Sequence, residues 1–315
     1  MIPADYTRLL DDEMQAYVAR SERYYPPDAV GLSIAAQRDV YDAMCAAFRQ
    51  ERPAGVRTRD EDHGGVPCRR YESGGASDVT VIYFHGGGFV VGGLDSHDDV
   101  CAEICAATGY RVVAVDYALA PEHVFPACFN DAWAAAAAIA THWRDRIVLA
   151  GDSAGGNLAA AVAHRARRDM PGRIAGQMLI YPGLGGDDTR GSCITHAQAP
   201  QLTVADLGFY KAIRAGSKDA PDGDPRFAPL HDADFTGLPP SVVITAQCDP
   251  LSSDGQAYRD ALRAAGGQAA WLEEPGLVHG YLRARVMSAR ARDSFDRIVA
   301  AIAALGRGDW PALPG

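Results

Sequence analysis

The chain is expected to fold as an α/β protein with a mainly parallel central sheet and helices on both faces. Three observations predict this. Short apolar runs alternate with helical patterns over residues 79–305, and repeated strand–helix units build parallel sheets. The run from Val79 to Phe84 is apolar without alternation, as a strand buried on both faces requires. The 315 residues are 48% hydrophobic and 22% charged, which excludes global disorder and allows one large domain carrying an insertion.

Residues 1–50 read as two helices. In the first, 5–17, Leu9, Leu10, Met14 and Tyr17 fall at helical spacing. Ser33 caps the second, which runs to Phe48 with Val40, Met44 and Phe48 on one face. Segments 56–59 and 67–71 flank a His63-Gly-Gly turn and read as a hairpin at the antiparallel edge of the sheet. Strands are then expected at 79–84, 111–115, 146–150, 177–181, 241–246 and 269–273. Helices are expected at 96–108, 127–142, 154–168, 252–265 and 287–305. Residues 187–227 break this rhythm. They are polar and rich in Gly, Asp and Pro, with one helical piece at 204–215. An insertion there follows a strand's C-terminal end, the edge at which open α/β sheets bind ligands. Residues 1–50 and 187–227 are therefore expected to form a helical cap over a core made of 51–186 and 228–315. The tail 309–315 is expected to fray.

Lys and Arg total 30 against 40 Asp and Glu, a net charge of −10. An acidic chain without a basic run is a poor partner for nucleic acid or anionic membranes. The longest apolar run, 132–140, is far short of the roughly 20 residues that span a bilayer. The first residues lack a basic region followed by an apolar one, so a cytoplasmic protein without membrane insertion is expected. The seven cysteines are scattered and form no CxxC pair. They read as reduced, buried small hydrophobes, and no metal site is expected.

The strongest chemical signal is Gly151-Asp152-Ser153-Ala154-Gly155, a GxSxG that follows one expected strand and opens a helix. In that context it reads as a nucleophile elbow: the glycines permit a strained turn that exposes Ser153 at the sheet edge. The Ala154 N–H then lies at a helix N-terminus, where developing negative charge is favoured. The second signal is His85-Gly86-Gly87-Gly88-Phe89, directly after the buried strand. Consecutive glycines let backbone N–H groups approach a ligand, as an oxyanion hole requires. Neither GxGxxG nor GxxxxGK[ST] fits there, which argues against a phosphate loop. His85 reads as a loop organiser.

A nucleophilic serine needs a general base and an orienting acid, which follow it in the order acid, then His. Four histidines follow Ser153. His164 lies far along the helix that Ser153 opens, and His196 and His231 fall in or beside the polar insertion. His279 follows the last expected strand by a short loop, 274–278, and can reach back over the sheet edge. Asp249 is the first carboxylate after the 241–246 strand and is the first choice for the acid. Asp254 reads as a helix cap, and Glu273 and Glu274 stand too close to His279 in sequence.

HGGGF, GDSAGG, Asp249-Pro-Leu and Val278-His279-Gly-Tyr281, together with Tyr117-Ala-Leu-Ala-Pro-Glu-His123 and Phe125-Pro-Ala127, resemble the hormone-sensitive-lipase-like branch of the α/β-hydrolases. The motifs stand in the same order over about 75–290. Tyr281 departs from the commoner Phe after His-Gly. The resemblance implies the α/β-hydrolase fold with a helical cap, and a carboxylesterase acting on small acyl esters, with short acyl chains the family expectation. It implies Ser153 as nucleophile, Asp249 as acid, His279 as base, and the N–H groups of Gly87, Gly88 and Ala154 as oxyanion donors. It implies no cofactor and a homodimer. Two other readings stand beside it. One is a serine hydrolase of amides, formamides or acetylated natural products. The other is a non-catalytic binding protein on the same scaffold, against which the retained His279 argues.

Other residues take supporting parts. Gly86, Gly151 and Gly155 shape the two loops, and Asp152 is expected to be held by backbone N–H groups. Ser96-His97-Asp98 reads as a helix start, with His97 supporting the glycine loop, and Glu122 and His123 as a polar loop network. Phe89, Tyr181, Phe209, Tyr210 and Tyr281 are candidates for the walls of a pocket, with Tyr6 and Tyr24 at its mouth.

Overall fold

The chain opens with three helices, α1 (Tyr6–Leu9), α2 (Asp12–Ser21) and α3 (Ile34–Phe48). The structure is a computed structural model, and it describes residues 4–75, 77–216 and 219–313. The single helix expected over 5–17 is two, because Leu10 is extended and the Asp11 side chain accepts from Met14 N. An Asp followed by two further acids is a strong N-cap, and it outweighs the helical spacing that runs through it. Ser33 caps α3 as expected. The buried face of α3 is Gln37, Tyr41, Met44, Cys45 and Phe48, with Val40 only half-buried.

Two strands follow, β1 (Arg57–His63) and β2 (Val66–Glu72), joined at Gly64-Gly65. The repeating units are β3 (Val79–Phe84), α4 (Asp98–Thr108), β4 (Arg111–Val115), α5 (Ala127–His142), β5 (Arg146–Asp152), α6 (Ala154–Asp169) and β6 (Ile174–Ile180). After the short α7 (Ser192–Thr195) and α8 (Val204–Ala215) come β7 (Ser241–Cys248), α9 (Ser252–Ala264), β8 (Ala269–Val278) and α10 (Ala289–Arg307). The eight strands form one sheet in the order β1-β2-β4-β3-β5-β6-β7-β8. Only β2 runs against the others.

The layers follow from side-chain alternation along buried strands. In β3, Val81 and Tyr83 join a core with α4 and α10, while Ile82 and Phe84 join a second core with α5, α6 and α9. All six residues of β3 are buried. The helices α2 and α3 extend the first core through Met14, Tyr17, Met44 and Phe48.

Two further expectations are corrected. Residues 274–278 are not a loop: β8 continues to Val278. Ala246 pairs with Glu274 but Cys248 pairs with Val278, so β8 carries two extra residues opposite Gln247. Pro275 and Gly276 make this bulge, with Gly276 at positive φ and its N–H donating to Gln247 Oε1. A Pro-Gly pair that reads as a strand end is here a bulge in an edge strand. The tail is also not frayed over 309–313. Asp309 N donates to Ala304 O, Pro311 is buried, and Leu313 packs on the first core.

Candidate active site

Strand register builds the site. β3 and β5 are neighbours, with Phe84 opposite Gly151. The glycine-rich loop after β3 and the turn after β5 therefore leave the sheet side by side. Ser153 occupies that turn at φ 55°, ψ −117°, a conformation L-residues rarely adopt. The turn is possible because its flanks lack Cβ atoms. A Cβ on Gly155 would lie 1.9 Å from Phe84 O, and one on Gly151 2.4 Å from Gly155 O. At Gly87, φ is +126° and a Cβ would meet Val91 O at 2.1 Å.

Two strands away, the Cys248–Val278 pairing makes Asp249 and His279 the next residues at adjoining strand ends. His279 Nδ1 lies 2.7 Å from Asp249 Oδ2, and its Nε2 lies 2.8 Å from Ser153 Oγ. Asp249 is fully buried, and its other carboxylate oxygen accepts from Leu251 N. Among the described residues, the N–H groups of Gly87, Gly88 and Ala154 donate to nothing. Ala154 begins a helix, whose first N–H groups lack intrahelical acceptors.

Asp152 ties the two loops together. Its carboxylate accepts from Gly86 N (3.0 Å), Tyr83 OH (2.8 Å) and Tyr181 OH (3.4 Å), and His97 Nε2 lies 3.2 Å away. Side chains, rather than the backbone N–H groups expected, supply most of its partners. Burial opposes its charge, but His97, Arg283 and Tyr83 outweigh burial and hold the carboxyl well below its usual range. His97 thus reaches the glycine loop both through Asp152, which holds Gly86 N, and through His85, whose ring centroid lies 5.9 Å away. His85 stacks on Tyr117 with ring centroids 4.3 Å apart, and its Nδ1 lies 2.7 Å from Gly86 O. Burial, helped by His97, pushes His85 down to about 4, so it is neutral near pH 7.

A cavity of about 360 Å³ opens over Ser153 and His279. Phe89, Tyr181 and Tyr210 line it. Phe209 and Tyr281 do not: Phe209 packs edge-on against Tyr210, and Tyr281 is fully buried with its hydroxyl 2.7 Å from Ser294 Oγ. Tyr6 instead reaches His196, and Tyr24 packs on Phe48. The sequence reading missed Tyr25, Tyr41 and Arg283 on the cavity wall, and it noted Tyr17 only for its helical spacing. Helical spacing reports that a side chain is covered, not whether a core or a cavity covers it. Residues 187–227 and the N-terminal helices meet across the cavity: Tyr25 OH and Tyr210 OH are 2.8 Å apart, and Ser21 Oγ donates to Gln201 Oε1.

Asp254 is not a cap for its own helix. Its carboxylate accepts from Leu184 N (2.7 Å) and Gly186 N (3.3 Å), pinning the loop after β6. Burial, resisted by those N–H groups, pushes it up to about 6. His164 is spent on Asp232 and Tyr258, and His231 on Gly185 O. Glu122 pairs with Arg38. All seven cysteines are free and buried, and no described helix is long and apolar enough to cross a membrane.

The sheet order and the strained serine turn define an α/β hydrolase. A family model described as the alpha/beta hydrolase fold matches residues 81–283. The esterase LipI of Mycobacterium tuberculosis is 42% identical over 214 residues, 66% of this chain and 67% of that protein. Carboxylesterase NlhH of the same species is 37% identical over 230 residues, 70% and 72% of the two chains. The crystal structure of DphMB1 matches with a TM-score of 0.87 at 34% identity, covering 94% of this chain and 99% of that one. The chain belongs to the hormone-sensitive-lipase-like carboxylesterase family of α/β hydrolases.

Proposed function

We propose that the protein hydrolyses small carboxylic esters through an acyl-enzyme formed on Ser153. The contiguous Ser153–His279–Asp249 hydrogen-bond chain carries this reading. His279 takes the proton of Ser153 Oγ as the hydroxyl attacks the ester carbonyl. Asp249, donating nothing and accepting from Nδ1–H, fixes the tautomer that leaves Nε2 free and stabilises the imidazolium. The free N–H groups of Gly87, Gly88 and Ala154 receive the oxyanion, each such donor being worth about 3–4 kcal/mol in comparable sites. His279 then protonates the leaving alcohol and activates the water that releases the acid. Asp152 serves this chemistry indirectly, by fixing Gly86 and hence the loop that presents two of the donors.

Residues 1–50 and 187–227 act as the cap, and the modest cavity beneath them suits short acyl chains. Hydrolysis of p-nitrophenyl esters from acetyl to dodecanoyl, with Ser153→Ala as control, tests the reading. Activity confined to the parent and highest on short chains supports it. A folded protein inert on every ester yet labelled at Ser153 by a fluorophosphonate is instead an amide or specialised acyl hydrolase. Failure of labelling as well leaves only a binding protein.

A further inference from the structure

Arg283 and Arg285 lie on one 3₁₀ turn, Tyr281–Val286, and meet opposite surroundings. Arg285 turns away from the cavity and is neutralised by Asp99 (2.5 Å) and Glu103 (2.7 Å). Arg283 faces the cavity and forms no ion pair among the described residues. Its Nη2 donates to Tyr41 OH (2.5 Å) and to Cys45 Sγ (3.4 Å), and the guanidinium carbon lies 5.0 Å from the Tyr41 ring centre. Nε is sealed from solvent without a partner, whereas Nη1 has no partner and is not sealed. Nη1 also passes 3.7 Å from where a Cβ on Gly280 would stand, one residue from His279.

A cation withdrawn from bulk water with unspent donors calls for a counter-charge. The Asp152 carboxylate feels its charge but is already held by four other groups. The other arginine on the cavity wall, Arg214, is a different case. Its Nη1 and Nη2 are spent on the carbonyls of Phe227 and Arg226 and on Asn157 Oδ1, its Nε is sealed without a partner, and Phe89 and Phe227 cover its faces, so no donor is left open to the cavity. The remaining titratable groups on the wall, His279 aside, are mostly acidic: Asp188, the buried Asp254, and Asp222 paired with Lys211. The cavity is therefore polarised, with one open cationic donor close to the histidine. An open guanidinium N–H offers a charge-assisted hydrogen bond to a carboxylate, a common anion of acyl compounds.

We propose that Arg283 is a specificity-determining residue that receives a substrate carboxylate, so that the preferred substrates are monoesters of dicarboxylic acids. This rests on the ester-hydrolase reading above. Water cleaves the monoester to a dicarboxylate and an alcohol, and the free carboxylate stays on Arg283 throughout.

The test compares monoethyl with diethyl esters of the C4 to C8 dicarboxylic acids, in the parent, Arg283→Gln and Arg283→Lys. In the parent, kcat/KM is expected to favour the monoester over the diester at one or more chain lengths. In Arg283→Gln that ratio is expected to fall at least tenfold, carried by KM, with part of it retained in Arg283→Lys. A parent that prefers the diester at every length overturns the proposal, even if the variants do not fold. So does a ratio unchanged in a folded Arg283→Gln. A parent inert on all of these and on p-nitrophenyl acetate overturns the ester-hydrolase reading instead.

Discussion

The strand-end residues and the proposed cap over them are built by different physics. Ser153, Asp249 and His279 each stand one residue beyond a strand, and pairing across the sheet fixes where those strands end. Backbone oxygens crowd the elbow so closely that only glycine fits at 151 and 155. The two segments proposed as the cap meet through side-chain hydroxyls and an amide: Tyr25 with Tyr210, and Ser21 with Gln201. A backbone-locked centre holds reacting atoms at fixed distances, whereas a wall of side chains can be re-cut without moving them. Chemistry is therefore expected to reside in the first region and selectivity in the second.

Ser153→Ala and His279→Ala test the first half of this comparison most severely. Each is expected to lower kcat by about 10⁴-fold or more with the melting temperature little changed. Asp249→Asn should cost up to about 10⁴-fold by favouring the wrong tautomer. A loss below tenfold for any of the three, measured in steady state, breaks the assignment. Gly155→Ala addresses the scaffold instead. Its Cβ has no room beside Phe84 O, so a destabilisation of about 3 kcal/mol or more, or failure to fold, is expected in thermal melts. A normally stable variant would mean that the elbow is not locked by its backbone.

Tyr210→Phe probes the cap. It removes the hydroxyl contact with Tyr25, and the expected cost is about 0.5–1.5 kcal/mol of stability. Acyl-chain preference should move while kcat on the best ester stays within a few-fold. A thousandfold loss would place Tyr210 with the chemistry and erase the contrast.

Asp254 gives a pH-dependent effect with a definite sign. Its folded pKa is raised to about 6 from the ordinary 3.8. The folded state thus holds the proton more tightly than the unfolded chain. The associated stability is complete below pH about 4 and is lost as pH rises through about 6. Asp254→Asn keeps an acceptor for Leu184 and cannot ionise. The difference in melting temperature, variant minus parent, should therefore rise between pH 4 and pH 7. A flat difference would show that Asp254 does not titrate in the fold.

Most of the sheet was legible from local pattern. The bounds of β3, β4, α5 and α8 agree with the apolar runs and periodicity residue for residue. The misreadings share one cause: a local signal that long-range pairing overrode or reused. Pro275-Gly276 reads as the end of a strand, yet pairing with β7 carries β8 through it as a bulge. Asp254 reads as a cap, yet it serves a loop 70 residues away in sequence. Phe209 and Tyr210 are adjacent aromatics with equal claims on the cavity, and only Tyr210 lines it.

The sequence by itself determined the order of strands and helices, the two glycine-rich turns, and the Ser, Asp and His that could act together. Those depend on interactions between near neighbours: side-chain periodicity, capping and the space a Cβ needs. Only the tertiary structure decided that Cys248 and Val278 pair, bringing Asp249 and His279 into contact, and that Asp152 binds the elbow to the glycine loop. It also decided that, of two arginines on one turn, Arg285 is neutralised and Arg283 is left facing the cavity. Which charges become partners depends on packing between elements distant in the chain, and no local pattern carries that information.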